Sequence, residues 1–179
     1  MRQIVKTIDA YRFDELSDSA KENAVRIISD KLANWNDWWE VRMEEQKEWL
    51  EKEAGLHNAE IDFSLAYVQG DFCKIKCSNV DAKKLMGLID PHKEIVDWEA
   101  VDIRIEFRKS RYVPLELYAD VDDATWNNIN TTVDDWLYRM ERDCYMEYQN
   151  EWEDLTSEES IAELCECNDY EFTKDGELI

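Results

Sequence analysis

Apolar residues recur along this chain with two different periods, and the switches between them predict its elements. Ile4, Ile8 and Tyr11 to Phe13 mark a short N-terminal strand. Ser17 or Ser19 then opens a helix. Ser19 with Glu22 three residues on reads as a capping box, and Ala20, Ala24, Val25, Ile27, Ile28 and Leu32 follow at helical spacing. A second helix is predicted over 34–54. Trp35, Trp38, Trp39, Met43, Trp49 and Leu50 give it a broad apolar face, Glu48 and Lys52 pair in the favourable order, and Gly55 is its left-handed stop. The period then falls to two. Ile61, Phe63, Leu65 and Tyr67 alternate, Gln69-Gly70-Asp71 turns the chain, and Cys73, Ile75 and Cys77 alternate again, which is a hairpin. A short helix is expected from Asp81 to Ile89, stopped by Asp90-Pro91. Val101, Ile103, Ile105 and Phe107 form a third strand, Ser110-Arg111 a turn, and Leu115, Leu117 and Ala119 a fourth strand. From about Ala124 the helical period returns. Ile129, Val133, Trp136, Leu137, Met140 and Cys144 make one stripe on a helix reaching about Glu153. Thr156 with Glu159 reads as a capping box for a helix ending near Asn168, Tyr170 and Phe172 as a last strand, and Asp175-Gly176 as a final turn.

Helices, then strands, then helices predict an α+β fold, with a mainly antiparallel sheet of about four strands packed with the N-terminal and C-terminal helices. The 179 residues fit a single domain over 1–179, ending in an acidic helical part from about 120 to 179.

Charge changes the picture from fold to function. The chain carries 43 Asp and Glu against 21 Lys and Arg, a net charge of -22. Nucleic-acid binding depends on cations that neutralise phosphates, so direct binding to nucleic acid is excluded as an expectation. Anionic membrane surfaces are excluded on the same ground. A partner with a basic face is favoured. The chain is no disordered acidic tail, since 44% of it is hydrophobic and it holds 8 Trp, 8 Tyr and 5 Phe. It has no apolar run of membrane-spanning length and no signal-peptide core in Met1-Arg2-Gln3-Ile4-Val5-Lys6. Five Cys, an odd number, read as reduced thiols, and the expected location is the cytoplasm of a host cell. Residues 112–179 hold 20 acidic and 3 basic residues, a net of -17, against -5 for residues 1–111.

Candidate chemistry is sparse. His57 and His92 are flanked by polar residues near turns and have no nucleophile or carboxylate close in sequence. Gly70 alone makes no phosphate loop. Cys73 and Cys77 share a strand face, but four residues of strand separate their Cα atoms by ~13 Å, which one tetrahedral ion cannot bridge. An EF-hand loop from Asp120 would need Gly at its sixth position and Glu at its twelfth, where this chain has Thr125 and Thr131. Asp122 or Asp123 as a helix N-cap is the plainer reading. No metal, no cofactor and no enzymatic activity are expected. Trp35, Trp38 and Trp39 precede Glu40, Glu44 and Glu45, so core packing or a protein interface suits them better than base stacking, and exposed Trp would also serve a homodimer.

The most informative pattern is acidic. Asp143, Glu147 and Glu151 fall at i, i+4 and i+8, with Asp154 and Glu158 continuing the row and Asp134 and Asp135 upstream of it. On a helix such carboxylates stand ~6 Å apart and cost ~0.2–0.5 kcal/mol per neighbouring pair. A regular line of negative charge beside Tyr145, Tyr148 and Trp152 matches a phosphate backbone in sign and spacing.

Three segments carry a family resemblance, in order along the chain. Residues 11–21 (Tyr11-Arg12-Phe13-Asp14-Glu15-Leu16-Ser17 and on to Lys21), Ile61-Asp62-Phe63-Ser64 with Gln69-Gly70-Asp71, and Asn168-Asp169-Tyr170-Glu171-Phe172-Thr173-Lys174-Asp175-Gly176 resemble a family of small acidic phage and prophage proteins, some antitoxin-like. The chain departs from that family at Phe72-Cys73, where its members have small residues. The resemblance implies a mobile-element origin. Together with the charge, it leads to the expectation of an anti-defence inhibitor, of the anti-CRISPR or anti-restriction kind. Such a protein would cover the nucleic-acid-binding surface of a basic host nuclease with Asp134, Asp135, Asp143, Glu147, Glu151, Asp154 and Glu158. The alternative is an antitoxin-like protein that neutralises a basic toxin.

Overall fold

A computed structural model describes residues 7, 9–33, 39–65, 71–107 and 115–179. The fold is α+β, and its contacts divide the chain into two compact units: residues 1–38 with 148–179, and residues 39–147.

The first unit is built around the helix α1, Asp18–Ala33, and the helix α5, Glu158–Cys167. Ala20, Ala24 and Ile28 repeat every four residues on α1, and Ile161 and Cys165 do the same on α5. The small alanines let the helices approach, and these residues are buried with Phe13, Leu16 and Phe172 in one core. Phe172 is fully buried and meets Phe13 edge-on, ring centroids 6.1 Å apart. Of the expected N-terminal strand, Ile4 and Ile8 lie outside the described residues; Tyr11 and Phe172 exchange both backbone hydrogen bonds at 2.9 Å as a single bridge, and Phe172 also bridges to Leu178. Phe13–Glu15 is a short 3-10 turn rather than strand. The C-terminal turn then seats on α1. Asn23 Nδ2 donates to the Asp175 carbonyl at 2.8 Å, and Gly176 (φ 81°) lies so close that a Cβ there would stand 2.0 Å from the Ala20 carbonyl oxygen. Because α1 begins at Asp18, Ser19 lies inside the first turn and the capping box read there does not start the helix. α5 is capped by Ser157, not Thr156: the Ser157 hydroxyl accepts from the Ser160 N–H at 3.2 Å, while the Thr156 hydroxyl donates back to the Trp152 carbonyl.

The second unit opens with α2, Glu40–Lys52, where the sequence predicts a helix over 34–54; residues 34–38, with Trp35 and Trp38, lie outside the described residues. Leu50 is its buried contact, Trp49 is exposed, and Trp39 just before it packs edge-on against Phe63 at 5.2 Å. Gly55 (φ 70°) follows as expected. Four strands then run as two separate two-stranded ladders along one ribbon: β1 (Leu56–His57), β2 (Glu60–Ser64), β3 (Phe72–Lys76) and β4 (Asn79–Val80). β1 pairs β4 and β2 pairs β3 with one constant offset, from Leu56–Val80 to Ser64–Phe72. The ladder breaks only at Asn58, held at φ 52° while its amide donates to the Ser78 hydroxyl at 2.7 Å. Helix α3, Ala82–Ile89, forms where the sequence predicts a short helix from Asp81 to Ile89, with Asp81 as its N-cap instead of its first residue. The strands β5 (Ile103–Phe107) and β6 (Leu115–Ala119) form a second antiparallel ribbon, with Ile103, Ile105 and Leu117 buried.

Each of the four expected strands is present in its described part, but among the described residues they make separate two-stranded ladders instead of one sheet; Tyr67 and the expected turns at Gln69-Gly70 and Ser110-Arg111 lie outside the described residues. β3 shows why the sheet does not extend along that edge. The N–H of Ile75 donates to a carboxylate from a helix, Glu141, at 3.2 Å, where a further strand would have to pair.

Candidate partner-binding face on the long helix

α4, Asp123–Leu155, runs for 33 residues. Asp122 starts it: one carboxylate oxygen accepts from the Ala124 and Thr125 N–H groups at 3.0 Å, the other from the Thr125 hydroxyl at 2.8 Å. These bonds, the Thr125 N–H foremost, hold the carboxyl below its ordinary range. Ile129, Val133, Leu137, Glu141, Cys144 and Tyr148 form the buried stripe, spaced four or three residues apart as an inward-facing helix requires.

The stripe contains one residue that the sequence reading passed over. Glu141 is buried, and both its oxygens are engaged: Oε1 takes the Ile75 N–H and Oε2 takes the Lys74 ammonium. Its signal was available, since it continues the four-residue spacing of Ile129, Val133 and Leu137. A carboxylate at an apolar register position marks a paired acid, because an unpaired one there would be too costly.

The seven candidate carboxylates do not share one surface. Asp134 is half-buried beside Asn130, whose amide donates to it at 3.2 Å; desolvation raises its carboxyl above the ordinary range and the Asn130 bond partly opposes that. Asp135 is exposed, and Arg139 reaches back to its carbonyl at 3.2 Å. Asp143 is exposed and paired with Arg142 at 2.9 Å. Glu147 and Asp154 are exposed and make no ion pair among the described residues, and Glu151 is half-buried. At about 100° per residue, Asp143, Glu147 and Asp154 fall within roughly 40° around α4. Glu151 stands about 80° from Asp143 toward the buried stripe, Asp135 about 80° the other way, and Asp134 on the far side. Glu158 is not on α4 at all: the helix ends at Leu155 and Glu158 opens α5. Asp134, Asp135, Asp143 and Glu147 belong to the second unit, and Glu151, Asp154 and Glu158 to the first.

Charge redistributes in the same way. The sequence halves at residue 111 were very unequal, but the two folded units carry a net of -11 each, 18 acidic against 7 basic residues in the first and 25 against 14 in the second. With 70 residues against 109, the first unit is the denser. From Asp143 to the C-terminus 13 carboxylates accompany a single cation, Lys174.

Other candidates separate cleanly. His57 and His92 are exposed, and Cys167 is an exposed thiol. Burial pushes the Cys77 thiol up to about 12 and the Cys165 thiol up to about 11. Among the described residues no cluster of His, Cys, Asp and Glu could hold a metal ion, and no helix is long and apolar enough to cross a membrane. An open groove of about 560 Å³ beside β5 and β6 is lined by Asp102, Arg104, Tyr118, Asp120 and Trp126, with no His, Cys or Ser. No family model matches the chain, and no curated protein or solved structure shows a significant similarity to it.

Proposed function

We propose that the protein is a phage-type anti-defence inhibitor that binds a basic host nuclease, of the CRISPR-effector or restriction type, on the surface meant for nucleic acid. The observation that carries the reading is the run of 13 carboxylates against one cation from Asp143 onward, nine of them on α4 and α5 and four in the segment after α5, with all but Glu151 exposed. Such a surface accumulates like-charge repulsion that folding does not need. A basic partner relieves it, and long-range attraction speeds the encounter. Inhibition is by occlusion, with no bond made or broken. Of the seven candidates, Asp143 and Glu147, one turn apart on α4 within the second unit, carry the contact; Asp134 does not, because it is half-buried and faces away.

The test is capture of bound proteins from bacterial lysate on the immobilised chain. The expected catch is a nucleic-acid-binding nuclease, released as salt rises through the range that screens surface charge and displaced by competing duplex DNA. Asp143→Lys with Glu147→Lys should abolish capture. Asp135→Lys with Glu163→Lys, an equal change in net charge placed elsewhere, should retain most of it. Capture that persists in excess DNA, or that both double variants lose equally, overturns the proposal. A small basic toxin as the captured species would support the antitoxin-like reading instead.

A further inference from the structure

Two of the five thiols meet across elements. Cys73 lies on β3 and Cys144 on α4; both are buried, at 4% and 0% exposure, and Cys144 is the foremost neighbour that raises the Cys73 thiol. The contact is fixed from both sides. Glu141, three residues before Cys144, holds the Ile75 N–H and the Lys74 ammonium, so residues 73–75 of β3 are tied to residues 141–144 of α4 by backbone and side chain together. The other thiols differ: Cys165 lies in the core of the first unit, Cys77 is half-buried just past β3, and Cys167 is exposed.

We propose that Cys73 and Cys144 are a redox pair that closes into a disulfide and staples the β2–β3 ribbon to α4. The oxidant is a peroxide, small enough to enter when the two-stranded ribbon opens locally. The Cys73 sulfur, the less buried of the two, attacks one peroxide oxygen. The O–O bond breaks, the departing hydroxide takes up the thiol proton as water, and Cys73 becomes a sulfenic acid. The Cys144 sulfur then attacks the Cys73 sulfur. The S–O bond breaks, the S–S bond forms, and the hydroxyl leaves with the Cys144 proton as a second water. Two electrons pass from the thiols to the peroxide. The neighbouring Cys144 and burial both raise the Cys73 thiol above its ordinary range, so the reactive thiolate is scarce near neutral pH. The pair is therefore silent to brief oxidation, and its closure speeds about tenfold per pH unit.

The experiment uses the full chain carrying Cys167→Ser, treated with hydrogen peroxide under native conditions, alkylated, and digested without reduction. The expected product is a peptide cross-link joining Cys73 to Cys144. Closing a loop of this length should raise the unfolding temperature by roughly 10 °C, a gain that dithiothreitol removes. Cross-linking of Cys77 in place of either residue, or Cys73 driven to sulfinic acid while Cys144 stays a free thiol, overturns the proposal. Cys144→Ala should leave a Cys73 sulfenic acid trapped by dimedone. If that variant does not fold, the peptide map of the Cys167→Ser chain still decides.

Discussion

Glu141 is the most exacting place to test how the second unit is held together. Glu141→Ala removes the acceptor that the Ile75 N–H has among the described residues and leaves that amide buried beside an apolar stripe. An orphaned buried amide costs ~1–3 kcal/mol, and the lost methylene packing about 0.8 kcal/mol more. The ion pair adds little. Lys74 is half-exposed, with 54% of its side chain accessible, so its share is discounted to under ~1 kcal/mol. The expected loss is about 2–4 kcal/mol. Glu141→Gln keeps a carbonyl oxygen for Ile75 and forfeits only the charge, so it should cost about 1 kcal/mol. Lys74→Met isolates the ion pair and should cost no more than that. Urea unfolding at constant slope gives the three values, and hydrogen exchange at the Ile75 amide gives a local reading, protected in the Gln variant and exposed in the Ala variant. Equal losses for Ala and Gln would refute the reasoning, because the charge and not the amide bond would then carry the contact.

In the first unit, Phe172→Ala should cost ~3–5 kcal/mol in urea unfolding, because a fully buried ring is removed from the core it shares with Phe13. Gly176→Ala should lower the unfolding temperature by several degrees, since its Cβ would collide with the Ala20 carbonyl. Asp122→Ala should lower the unfolding temperature at neutral pH but not in acid. The folded carboxyl is held below its unfolded value, so its contribution is complete above the unfolded value of about 3.9 and fades as pH falls through the folded one. Asp134→Asn should behave oppositely: burial raises its folded value, so the ionised form burdens the fold at neutral pH, and the variant should melt at or above wild type there, with the gap closing as pH drops below ~4.

Local structure was legible where one signal sufficed. Asp81, Asp122 and Gly55 each carry their own stereochemistry, and each stands where its residue type demands. Alternation at Ile61, Ile75, Ile103 and Leu117 marked strands that all form. What alternation cannot encode is which edge meets which. The choice between one sheet and separate ribbons rests at β3 on Glu141, 66 residues away from Ile75 in sequence. Thr156 and Ser157 show the same limit at short range, since both have capping side chains and only the geometry of the α4 end decides that Ser157 takes the role.

The acidic row shows a subtler limit, because its spacing was read correctly and its extent was not. Four-residue spacing survives only while one helix lasts, and α4 stops at Leu155, three residues before Glu158. Spacing also says nothing of residues nine apart, which a helix turns through about 900°, so Asp134 and Asp143 face opposite ways although they sit on one element. The imbalance between chain halves dissolved for a related reason. The first unit joins residues 1–38, nearly neutral in net charge, to residues 148–179, which hold 11 acidic residues and one basic. Arg12 already reaches Asp169 at 3.4 Å within it. The cations of the N-terminal segment are therefore built into the same unit as the acidic C-terminus and offset part of its field. A basic partner must outcompete that internal compensation there, which is why Asp143 and Glu147 on α4, outside that unit, and not the C-terminal end, are the residues to mutate first.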